Sequence, residues 1–250
     1  MTGAPKSYVA IFEGQFQETR GDLDGARASY RRAVEDLARA GQYGAAGEAL
    51  RSMVTISVVT GEGAASDLAF ARRQKLGGLE NGAIAFLQAW QGDVAASQRS
   101  FQLYAAARPE LGPQGVEQAR NYQDLYVALA RKNAQAVLTA AGRLPEFLGS
   151  ILQFPRGWAY AETKDYQRAE HDLRVAILDD RNLSAFGLMR THSPLVSALA
   201  HFYLGQVCEA TGRRDQAVNE YQEFLSHFEN SRANLPQIAV ARAALRSSLP

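Results

Sequence analysis

The sequence predicts an all-α protein, and three observations carry that prediction. Alanine is the commonest residue, and Leu, Gln, Arg and Glu fill much of the remainder; all lose little rotamer freedom in a helix. Pro5, Pro109, Pro113, Pro145, Pro194, Pro236 and Pro250 fall where the helical hydrophobic period breaks, and only Pro155 lies inside a periodic run, as expected of residues that punctuate helices. No Asn-Gly or Asp-Gly pair has alternating apolar and polar flanks, since Asp24-Gly25 sits within a helical period, so hairpin signals are missing.

The helices come in repeated pairs. EGQFQETRGDLDGARASYRRAV from Glu13, RGWAYAETKDYQRAEHDLRVAI from Arg156 and LGQVCEATGRRDQAVNEYQEFL from Leu204 align without a gap. Each has an early glycine (Gly14, Gly157, Gly205), then a turn residue (Gly21, Lys164, Gly212), an alanine (Ala26, Ala169, Ala217) and a large apolar residue (Tyr30, Leu173, Tyr221). The small residues let two helices approach closely. The turn is a helix stop followed by a start, with Asp22, Asp165 and Asp215 placed to accept from free amides. Ala26, Tyr30, Ala33 and Val34 then share one face, as do Ala169, Leu173, Ala176 and Ile177, and that face should meet the preceding helix.

Weaker copies lie between these: from Tyr43 through Gly61-Glu62 to Gln74, from Gly78 through Gly92-Asp93 to Ala107, and from Val116 through Arg131-Lys132 to Arg143. The expected organisation is one helical-repeat domain over 1–250, with pairs at about 7–40, 43–76, 78–108, 113–144, 148–179 and 193–229. Residues 180–192, within DDRNLSAFGLMRTH, read as a connector, either loop or short helix. Ser193-Pro194 is a helix start. The segment 236–248 reads as a cap, with Ile238, Val240, Ala241 and Leu245 toward a neighbour and Arg242 and Arg246 toward water.

On these residues the chain resembles the tetratricopeptide repeat (TPR) family, whose units are antiparallel helix pairs of about 34 residues. The family's aromatic near the end of the first helix is present as Tyr160; Gln17 and Cys208 stand at the matching positions. The resemblance implies a right-handed α-solenoid superhelix of about six helix pairs plus the cap. The last hundred residues, through FPRGWAYAETKDYQRAE and ALAHFYLGQVCEATGRRDQAVNEYQEFL, resemble more narrowly the C-terminal repeat region of bacterial serine/threonine kinases and winged-helix signalling proteins. No HRD, DFG or glycine-rich phosphate loop accompanies them.

Composition narrows the function. Lys plus Arg total 27 against 26 for Asp plus Glu, a net charge of +1, which disfavours a nucleic-acid binder. The longest apolar run, MVTISVVT at 53–60, is too short to span a bilayer. The single cysteine, Cys208, excludes a disulfide framework and fits a reducing compartment. MTGAPKSYVA lacks the features of a secretory signal. A cytoplasmic protein, or a soluble domain of a larger one, is expected.

No residue set points to catalysis or a cofactor. Gly3-Ala4-Pro5-Lys6-Ser7 lacks the glycine spacing of a P-loop, and Gly61-Glu62-Gly63 reads as a turn. Asp22/Asp24 read as helix caps and Asp179/Asp180 as loop residues rather than paired acids. His171, His192, His201 and His227 show no metal-ligand spacing, and His171 and His227 read as surface residues. Cys208 reads as a buried small hydrophobe. The doublets Arg31-Arg32, Arg72-Arg73 and Arg213-Arg214 have acids nearby and read as solvated faces.

The family's groove positions fall on Ile11, Gln15, Phe86, Trp90, Tyr122, Tyr126, Phe154, Trp158, Phe202 and Gln206. About half of these are expected to be buried between helices, since aromatics at helical spacing usually form core; the remainder would face a partner. They are mostly apolar or neutral, which argues against the family's Lys, Arg and Asn carboxylate clamp. The leading expectation is a non-enzymatic scaffold that binds a peptide or protein in a concave groove. The alternative is a self-association module that makes a homo-oligomer and brings attached domains together. An enzyme on a helical-repeat scaffold comes third.

Overall fold

The computed structural model describes residues 6–145, 150–183, 194–229, 231, 233 and 235–248. Among them the regular structure is helical: α1 (Lys6–Thr19), α2 (Leu23–Arg39), α3 (Tyr43–Thr60), α4 (Ala64–Arg73), α5 (Glu80–Trp90), α6 (Val94–Ala106), α7 (Gly112–Ala130), α8 (Ala134–Ala141), α9 (Ser150–Glu162), α10 (Tyr166–Leu183), α11 (Pro194–Ala210), α12 (Arg214–Ser226) and α13 (Pro236–Ser248), with one 3-10 turn at Pro109–Leu111. The all-α expectation holds.

Chain reversals explain why the helices stop where they do. Gly21, Gly61, Gly92, Lys132, Lys164 and Gly212 all have positive φ, the left-handed geometry that closes a helix. At three of them the next amide reaches back to close the last turn: Asp93 N donates to Gln88 O at 2.9 Å, Asp165 N to Tyr160 O at 2.9 Å and Arg213 N to Cys208 O at 2.8 Å. The next helix is then capped by a side-chain oxygen, Asp93 accepting from Ala96 N at 3.0 Å, Asn133 from Ala136 N at 3.1 Å and Asp165 from Arg168 N at 3.3 Å. Arg213 occupies the cap position after Gly212 and supplies no such bond.

The chain divides into two compact units, Met1–Gln17 with Leu23–Arg131, and Glu18–Asp22 with Lys132–Pro250. In the first, α2 packs on α3, α5 packs on α4 and α6, and α3, α5 and α7 meet one another. In the second, α9 packs on α8, α10 and α11, α11 also meets α10 and α12, and α13 packs on α12.

The early glycines set the helix spacing within a pair. A Cβ placed on Gly14 would stand 2.6 Å from the Tyr30 ring, one on Gly157 2.9 Å from Leu173 and one on Gly205 2.7 Å from Tyr221. The partner in each case is the large residue of the same repeat. The alanine column, Ala26, Ala169 and Ala217, is buried, as are Ala33, Val34, Ala176 and Ile177. In α5 and α6 the same register holds Ala85, Ser97 and Phe101, and buried Ser97 Oγ donates to Ala85 O at 2.7 Å. Gly205→Leu is expected to force Tyr221 from its site and lower stability by about 1–3 kcal/mol, read by urea unfolding; an unchanged midpoint would mean that α11 and α12 are not held at this distance.

Four expectations are corrected. Val240 is 46 % exposed while Ile238 and Ala241 are buried, because helical geometry turns a residue two places on to the far side. Helix α10 continues to Leu183, so 180–183 are helical and Asp179 and Asp180 lie in a helix rather than a loop; 184–192 and Ser193 fall outside the described residues, as do 1–5 of the proline and P-loop readings. Helix α7 begins at Gly112, with Pro113 in its first turn, earlier than Val116. His227 is half-buried rather than a surface residue, while His171 is exposed.

Candidate partner-binding surface

The ten groove residues separate by burial. Ile11, Gln15, Tyr126, Phe154, Trp158 and Phe202 are buried, whereas Phe86, Trp90, Tyr122 and Gln206 are half-buried. Six of the ten positions are therefore buried and serve packing in the chain as it stands, close to the half expected of residues at helical spacing.

The second unit shows why. Every residue of α11 from Pro194 to Phe202 is buried, the pattern of a helix enclosed all round. Its aromatics join those of α9 and α12 in a chain of rings: Phe154 to Tyr203 at 6.2 Å, Tyr203 edge-on to Phe202 at 5.1 Å, Phe202 to Phe224 at 5.2 Å and Phe224 to Phe228, just past α12, at 5.1 Å. Polar and charged side chains join α10, α11 and α12. Arg213 lies 2.7 Å from Glu170, Glu170 is 2.8 Å from Arg174, and the His201 ring is 2.7 Å from Glu220. Beneath them, Asp172, with 2 % of its side chain exposed, pairs with Arg156 on α9 at 2.6 Å.

The hydrogen bonds from Arg213 and Arg174 hold the Glu170 carboxyl at about 2, below its ordinary value of 4.5, against the opposing effect of burial. A depressed carboxylate stabilises the fold above the unfolded value and ceases to do so as pH falls through the folded one. The Glu170 contribution is therefore complete above about pH 4.5 and lost toward pH 2. Stability profiles of parent and Glu170→Gln should converge at the acid end and diverge above it; parallel curves would show that this pair contributes nothing.

In the first unit Phe86, Trp90 and Tyr122 remain partly open, while Tyr126 beside them is buried. Phe86 and Trp90 stand one turn apart on α5, and Tyr122 and Tyr126 one turn apart on α7. The Phe86 and Tyr126 rings are 6.2 Å apart and those of Tyr122 and Tyr126 5.0 Å. Tyr126 donates its hydroxyl hydrogen bond to Tyr122; burial, then the neighbouring Tyr122, push the Tyr126 phenol well above the ordinary value. Burial also raises Tyr122, opposed by the Arg51 charge.

Two residues of this surface were missed by the aromatic pattern. Arg51 on α3, with 45 % of its side chain exposed, donates to Glu48 at 2.8 Å. Tyr104 of α6 lies against α5 at Gly82, where a Cβ would be 3.0 Å from its ring. Register was the available signal: Arg51, Gly82 and Tyr122 each precede a left-handed turn residue, Gly61, Gly92 and Lys132, by the same interval.

The remaining candidates resolve into structure. Asp67 is fully buried, 2.9 Å from Arg31 and 3.9 Å from Arg27, so Arg31 is drawn into an internal pair rather than standing on a solvated face. Arg27 also donates to Glu62 O at 2.8 Å, which fixes the Gly61-Glu62-Gly63 turn. Cys208 is buried, and burial raises its thiol pKa, the opposite of an activated nucleophile. Among the described residues no group of three or more His, Cys, Asp or Glu is placed to hold a metal ion, and no helix is long and apolar enough to cross a membrane. No protein-family model, curated protein or solved structure matches the chain.

Proposed function

We propose that the chain is a TPR-like helical-repeat scaffold that binds a peptide or protein segment without catalysis, and that the face built by α3, α5 and α7 is where it does so. The observation that carries the proposal is the contrast in aromatic exposure. Phe86, Trp90 and Tyr122 stay half-open on adjacent helices, whereas Phe154, Trp158 and Phe202 are closed into packing. Accessible Trp and Tyr on a preformed surface are the side chains that concentrate binding energy, and helix pairs supply such a surface with little ordering on binding. The glycine and alanine columns support the repeat architecture, and a role as the partner-recruiting part of a larger bacterial signalling protein follows from the resemblance of the last hundred residues.

The test is affinity capture from a lysate by the parent chain beside a Phe86→Ala, Trp90→Ala variant whose helicity is verified by circular dichroism. A partner retained by the parent and lost by the variant supports the proposal. A partner held equally by both removes the site from this face.

A further inference from the structure

We draw no further inference here: the strongest candidate, the apolar surface patch that Val9, Phe12 and Phe16 form along α1, each more than half exposed, carries nothing because nothing in the structure shows what covers it.

Discussion

Asp67→Ala is expected to destabilise the first unit by about 3–5 kcal/mol, the range for removing one partner of a buried ion pair. Asp67 has no exposed side-chain surface and faces Arg31 at 2.9 Å and Arg27 at 3.9 Å, while Ser57 donates to its other oxygen. Without the carboxylate, two guanidinium groups from α2 lose their counter-charge, and Nε of each is already buried without a hydrogen-bond partner. The pair spans α2 and α4 and also ties down α3, so three helices loosen together. Asp24→Ala provides the comparison, since Asp24 lies 3.5 Å from the same Arg27 but is 98 % exposed; its stability should match the parent, as exposed pairs contribute little. Equal effects of the two substitutions in urea unfolding would show that the buried pair does not hold these helices.

Trp158→Ala is expected to cost about 3–5 kcal/mol as well, the range for truncating a large aromatic in a core. Trp158 is 4 % exposed, and Phe154 one turn earlier on α9 is 1 % exposed. The sequence pattern places Trp158 among groove residues; its burial makes it a packing residue, so its loss should lower the unfolding midpoint of the second unit. Phe86→Ala, at a half-buried position, should cost less. If Trp158→Ala kept the parent's stability by circular dichroism and lost only partner affinity, the ring would belong to the binding surface after all.

Helix stops were legible because they depend on local chemistry. The glycines at Gly21, Gly61, Gly92 and Gly212 declare a left-handed residue, and Asp93, Asn133 and Asp165 declare the start that follows. The pairing of Gly14 with Tyr30, Gly157 with Leu173 and Gly205 with Tyr221 was legible for another reason: a small residue opposite a large one at constant spacing leaves a column in the repeat. The Asp67 pair was not legible, since Arg31 comes from a different helix pair and nothing in the spacing of either residue marks the other. Nor was the sorting of the aromatics, because a period identifies the face a residue shares but not what covers that face. Tyr122 and Phe202 occupy equivalent positions, yet Phe202 packs against Tyr203, Tyr221 and Phe224, whereas Tyr122 keeps part of its surface open.

Hydrogen–deuterium exchange of the chain with and without a captured partner measures the central claim most directly, because it locates the contact without altering a side chain. Binding on the face of α3, α5 and α7 should slow exchange in peptides covering 47–55, 82–91 and 115–126 and leave those covering α9 and α11 unchanged. Protection confined to α9 and α11, or to α2, α4 and α6 with the aromatic face unaffected, would contradict it.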